Sequence, residues 1–169
     1  AADAEHEVLV VELVRLERSQ GKTAIELQHG MAPFEWFTSE PAAAEAFNRG
    51  MTAVSYLTID AVLGVYSFAG FARIVDVGGG HGRLLGGILD ATSAARGVLF
   101  DLPSVVAGAG PILEKLGVAG RCEVVGGSFF ESVPSEGDLY VMKAIIHDWD
   151  DDDALKILAS IRRGIRPSG

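Results

Sequence analysis

The chain has 169 residues, 49% of them hydrophobic and 22% charged, which suits one folded domain with a real core and excludes a disordered chain. Its formal net charge is −9, and the only local basic cluster is Arg162, Arg163 and Arg166, so nucleic acid is not an expected partner. No apolar run approaches the roughly 18–20 residues that cross a bilayer, and no membrane partner is expected; the early run Val8 to Val11 is stopped at once by Glu12. The acidic opening, Ala1-Ala2-Asp3-Ala4-Glu5, does not read as a secretory signal. Cys122 is the single cysteine, which rules out an intrachain disulfide and fits a cytoplasmic location.

Residues 4–19 place Val10, Leu13, Val14 and Glu17 at helical spacing, with Gly21 as a stop. Ser39-Glu40-Pro41 is a helix start, since proline is tolerated in a first turn. Phe47, Met51 and Val54 then recur at four- and three-residue steps, in a helix expected to fade near Gly64. Residues 1–68 are thus expected to be a helical segment. From residue 69 the pattern alternates. Arg73 to Val77 is a β-branched run, hence a strand, and Arg83 to Leu89 reads as a helix. Gly97 to Phe100 is a second strand, with a helix after Pro103; Cys122 to Val125 is a third and Leu139 to Met142 a fourth. Ala154, Leu155, Ile157, Leu158, Ile161 and Ile165 mark a closing amphipathic helix. Strand–helix alternation at this spacing predicts an α/β fold with a parallel sheet covered on both faces.

The first strand runs into Gly78-Gly79-Gly80-His81-Gly82. Glycines let a ligand lie against the backbone, and N–H groups at a turn and helix start then face it. Gly78, Gly80 and Gly82 follow G-x-G-x-G. The dinucleotide fingerprint G-x-G-x-x-G would need glycine at position 83, where this chain has Arg83. Asp76 adds a carboxylate near the loop, better suited to a ligand with an ammonium and a sulfonium than to a pyrophosphate. Asp101 follows the second strand about 20 residues on, where an acidic residue can accept from both hydroxyls of a ribose; the alternative is a turn or N-cap role before Pro103.

Lys143, His147 and Asp148 should cluster beyond the carboxyl end of the fourth strand, where ligands of open α/β sheets bind. A histidine there is a candidate general base, with a helix-start or interface role as its alternative. A phenol with a pKa of about 10 is mostly neutral at pH 7, and an imidazole can take its proton during attack, typically worth about 10²–10⁴-fold. Asp150 to Asp153 read as a helix cap and a solvated face. They lack the alternating ligands, glycine and glutamate of a Ca²⁺ loop, and His147-Asp148 alone is too little for a metal site. Trp149 is expected in the core.

Four segments fall in order: Val75-Asp76-Val77-Gly78-Gly79-Gly80-His81-Gly82, Phe100-Asp101-Leu102-Pro103, Gly126-Gly127-Ser128-Phe129-Phe130, and Lys143-Ala144-Ile145-Ile146-His147-Asp148-Trp149-Asp150-Asp151. Together they resemble the plant and bacterial small-molecule O-methyltransferases, the group of caffeic acid, acetylserotonin and polyketide-tailoring enzymes. Phe47-Asn48-Arg49-Gly50-Met51 looks like that family's helix before the cofactor domain. The resemblance runs from about residue 20 to the end.

It implies a Rossmann-like methyltransferase sheet over 69–169, ending after its fourth strand, with residues 1–68 as part of a dimerisation and substrate-lid region. It implies S-adenosylmethionine as cofactor, held by Asp76, Gly78, Gly80, Asp101, Ser128, Phe129, Lys143 and Asp148. Asp101 would take the ribose, Phe129 would border the adenine, and Lys143 and Asp148 would frame the cofactor. His147 would deprotonate the hydroxyl of a small aromatic or polyketide-type acceptor. Phe47 and Met51 would line the acceptor pocket or simply pack a helix. Ser128 departs from the family's usual aspartate, which contacts the adenine amino group. Family members also continue past this sequence at both ends. The fourth strand's edge is therefore expected to need a homodimer mate or another chain to cover it. A catalytically inactive cofactor-binding or structural remnant is the competing reading, and a nucleotide-dependent oxidoreductase is disfavoured by the glycine spacing.

Overall fold

A computed structural model describes residues 22–165; the helix expected over 4–19 lies outside them. The chain forms two compact units, one reaching Phe47 and the other starting at Asn48.

In the first unit, α1 (Ala24–His29) is opened by a capping box. The Thr23 hydroxyl accepts from the Glu26 N–H at 3.2 Å, and the Glu26 carboxylate accepts from the Thr23 N–H at 2.7 Å. This satisfies two N–H groups that a helix start would otherwise leave bare. The second helix, α2 (Pro33–Ser39), begins on its proline. The unit is held by rings: His29 stacks on Trp36 at 4.7 Å and Phe37 on Phe47 at 4.8 Å. The long helix α3 (Pro41–Val65) starts on Pro41 as expected, and ends one residue past Gly64.

The second unit is built on a four-stranded parallel sheet. Its strands are β1 (Arg73–Val77), β2 (Arg96–Asp101), β3 (Cys122–Gly126) and β4 (Leu139–Val141), in the order β3-β2-β1-β4. Its helices are α4 (Arg83–Ala91), α5 (Pro103–Val106), α6 (Gly110–Lys115) and α7 (Asp151–Gly164). Strand side chains alternate between faces, and the core divides accordingly. Ile74 and Leu99 point to one side, with Ile59 of α3, Leu85, Ile88 and Leu89 of α4, and Leu113 of α6. Val75, Val77, Val98 and Phe100 point to the other, onto Ile157 and Ile161 of α7. A sheet buried on both faces needs such apolar runs, and β1 and β2 supply them.

The single helix expected after Pro103 is two short pieces. Pro111, in the first turn of α6, has no N–H with which to continue a preceding helix. Asp150 caps α7 as expected: its Oδ1 accepts from the Asp153 N–H at 2.9 Å, and Asp151, Asp152 and Asp153 occupy the first turn. That helix buries only one stripe. Leu155 and Leu158 stand 63% and 46% exposed. Arg121 closes the opposite corner, its guanidinium donating to the carbonyls of Leu89, Thr92 and Ala95 at 2.7, 3.1 and 2.9 Å.

Candidate functional site

The site is built where β1 and β2 end together. Past Val77 the chain enters a tight turn in which Gly78, Gly80 and Gly82 have φ of 69°, 60° and 78°. The N–H groups of Gly78 and Gly79 donate to the Phe100 carbonyl at 2.8 and 3.2 Å, tying the turn to the tip of β2. The Gly80 N–H donates to Asp101 Oδ2 at 2.8 Å. Gly80 needs its glycine for the left-handed backbone alone. The space where a Cβ would stand is open, and a ligand can lie there. Gly79 is glycine for another reason: a Cβ would come within 2.7 Å of the Asp76 carboxyl and 2.5 Å of Leu99.

Asp101 does not cap α5, whose N-cap residue is Leu102. Its Oδ1 accepts from the Leu102 N–H at 2.7 Å while Oδ2 takes Gly80. Each oxygen keeps a lone pair for a further donor. Burial raises the Asp101 pKa, opposed by the N–H groups of Gly80 and Leu102 and by His81.

Asp76 lies beneath the turn, 1% exposed. Its Oδ2 is buried with no hydrogen-bond partner. Burial, and then the nearby charge of Asp101, push its pKa up to about 7, against the Leu85 N–H and the Lys143 ammonium. A buried carboxylate oxygen without a donor is costly, and such groups cluster where a cationic ligand binds or chemistry occurs.

Lys143 follows β4 and acts electrostatically on Asp76. Ala144 has a left-handed φ of 57°, and the chain then enters a short 3-10 turn, Ile146–Asp148. The Ile145 side chain occupies the space that a Cβ on Gly78 would need. His147 is exposed, 67% at its side chain, and its Nε2 lies 3.2 Å from Asp148 Oδ1. Phe129, Phe130 and Trp149 form an edge-to-face cluster with centroids 4.7–5.7 Å apart. Phe129 and Trp149 pack against the α7 side of the core, with Ile146. Ser128 Oγ accepts from the Phe130 N–H at 3.3 Å, and its carbonyl accepts from Glu131 and Ser132.

A hydrogen bond thus joins Gly80 to Asp101, the charges of Asp101 and Lys143 act on Asp76, and His147 separately meets Asp148. Phe47 sits in the aromatic cluster of the first unit. Met51 is half-buried, its carbonyl accepting from Ser55 Oγ at 2.9 Å. Sequence reasoning missed Ile145 and Ala144. An isoleucine and an alanine carry no chemical signal, and only the positive φ and the crossing over Gly78 single them out. Among the described residues no group of three or more His, Cys, Asp or Glu side chains could hold a metal ion.

The family model for the O-methyltransferase domain matches residues 8–169. The phenazine O-methyltransferase PhzM of Lysobacter antibioticus is 39% identical over 149 residues, covering 88% of this chain and 44% of that protein. The mitomycin biosynthesis 6-O-methyltransferase of Streptomyces lavendulae is 39% identical over 147 residues, covering 87% of this chain and 42% of that protein. The crystal structure of NcsB1, an O-methyltransferase of neocarzinostatin biosynthesis, was solved in complex with S-adenosylmethionine and 2-hydroxy-5-methyl naphthoic acid. It superposes with a TM-score of 0.83 at 32% identity, over 97% of this chain and 50% of that one. The chain therefore spans about half the length of the relatives it matches.

Proposed function

Because the chain belongs to the O-methyltransferase domain family, we propose that it binds S-adenosylmethionine over the Gly78–Gly82 turn, and that the whole protein methylates a hydroxyl of a small aromatic or polyketide-type metabolite. The observation that carries this reading is the unpartnered, buried Asp76 Oδ2 beneath a turn open above Gly80. The residues fit the cofactor. Asp76 offsets positive charge from below, and the free lone pairs of Asp101 accept from the two ribose hydroxyls. Phe129 gives an apolar edge to the adenine, and Ser128 offers it a neutral hydrogen bond. Lys143 holds charge balance around Asp76, and Gly78 keeps the turn tight under Ile145.

When bound, the cofactor supplies a methyl group on a cationic sulfur. The rest falls to the protein. In neutral His147, an N–H at Nε2 directed to Asp148 Oδ1 leaves the Nδ1 lone pair for the acceptor's proton. Asp148 fixes the imidazole and stabilises the imidazolium that forms. Met51 contributes apolar surface to the acceptor. The acceptor is a small molecule and not a nucleic acid, and a second copy or another chain covers the free side of β4. No helix among the described residues is long and apolar enough to cross a membrane; a cytoplasmic location fits.

Titration calorimetry with S-adenosylmethionine, its demethylated product and NAD tests the binding step. Heat with the first two and none with NAD is expected; tight NAD binding alone overturns the assignment, and no heat with any of the three favours an inactive remnant. For the base role, His147→Ala is expected to cut methyl transfer by at least about 100-fold with cofactor affinity near normal. Unchanged turnover would refute it.

A further inference from the structure

Three arginines lie level across the sheet at the end opposite the glycine turn. Arg73 opens β1 and is the in-register partner of Arg96, which opens β2. Gly97 pairs with Cys122, which sets Arg121, the residue before β3, level with Arg96. Parallel strands lie about 4.8 Å apart, and like charges directly opposite one another are destabilising. The row borders a cavity of about 210 Å³ lined by Arg73, Arg96, Arg121 and Glu123, with Gly97, Gly120 and Cys122. In a chain of net charge −9 this lining has an excess of positive charge.

Donor use there is uneven. Arg121 is spent on three backbone carbonyls. Arg73 Nη2 bonds Glu123 Oε2 at 3.2 Å, yet its Nε is buried without a partner. Glu123 is 57% exposed at its side chain and is the only carboxylate in the lining. Asp138, nearby on the β4 side, uses Oδ2 on the backbone N–H groups of Ala72 and Arg73 at 3.1 and 2.9 Å. Arg96 is exposed and lines the cavity.

We propose that this cavity is a site for a small phosphate dianion, either inorganic phosphate or the phosphate of a small monoester, held by Arg73 and Arg96. Guanidinium groups match such oxygens in pairs of parallel hydrogen bonds, and a dianion relieves the repulsion along the row. Glu123 competes with it for Arg73. The site is separate from the glycine turn, since the two stand at opposite ends of β1 and β2.

The test measures melting of the chain against inorganic phosphate and glycerol phosphate at constant ionic strength, with ³¹P line broadening as a direct readout of binding. Saturable stabilisation by both is expected, above that given by chloride. Arg96→Gln should weaken both responses about tenfold, and Glu123→Gln should strengthen them. Arg96 is exposed, so its loss leaves the fold intact, and melting without anion checks this. A response equal to that of chloride, or one unchanged in Arg96→Gln, overturns the proposal. So does binding of the monoester with phosphate inert, because the dianion would then not be what is recognised.

Discussion

A single buried carboxyl couples the site to pH. Asp76 has a folded pKa of about 7, against about 3.9 for an unperturbed aspartate. Between those values the folded chain keeps a proton that the unfolded chain gives up. Its contribution favours folding near pH 4, drains as pH rises towards 7, and is constant above. Asp76→Asn removes this titration while keeping the side chain's size. The stability of the wild type relative to Asp76→Asn is expected to fall by a few kcal/mol between pH 4 and 7. Urea unfolding of both proteins across that range measures it. A flat difference would mean that Asp76 is ionised throughout. A cationic ligand reverses the preference, because it favours the ionised carboxylate.

The elements divide by whether a chemical period or a backbone angle defines them. The strands Arg73–Val77 and Cys122–Gly126 and the helix Asp151–Gly164 were legible in β-branched runs, in a 3.6-residue stripe and in the Asp150 cap. In β1 the run leaves a mark in composition because both faces are buried and must be apolar, whereas Cys122–Gly126 is largely exposed and shows only its Val124-Val125 pair. The glycine turn was legible for a similar reason: a left-handed backbone almost demands glycine. The turn between Lys143 and His147 was not, since its shape depends on an alanine at positive φ. Nor was the break between α5 and α6, where Pro111 was in plain view but the pattern around it continued. His147 and Asp148 were expected in one cluster, but adjacency in sequence does not fix which atoms meet, and the approach of Nε2 to Oδ1 is seen only in the structure. Within α7 the two apolar stripes differ in worth. Ile157 is fully buried against β1 and β2, so Ile157→Ala is expected to cost about 2–5 kcal/mol. Leu155→Ala in the same helix should cost under about 0.5 kcal/mol. Chemical denaturation of the pair tests the assignment of the faces.

At the scale of the molecule, the sheet is asymmetric. Among the described residues β4 pairs along one side only, with β1. Just before it, Gly137 makes an isolated parallel bridge to Ile165. An edge of this kind is a template for another strand, and the exposed Leu155 and Leu158 enlarge the apolar surface on the same unit. This 169-residue chain is therefore expected either to self-associate or to melt at low temperature when alone. Sedimentation and thermal melting over a range of concentrations distinguish these outcomes. A monodisperse, stable monomer would contradict both. Placing Lys at position 155 is expected to reduce any self-association while leaving cofactor binding unchanged, since that residue lies outside the turn.

The left-handed Ala144 has a consequence for evolution at this site. A non-glycine residue in that conformation costs about 1–2 kcal/mol, so Ala144→Gly should raise the melting temperature. Glycine also widens the accessible backbone three residues past the end of β4 and three before His147, and the imidazole would then sample more orientations. Under the base role proposed for His147, a selection for thermal robustness alone would favour that change, and one for turnover would purge it. The alanine thus reads as a place where durability and catalytic aim pull in opposite directions, and measuring both quantities on the one variant shows which has been kept.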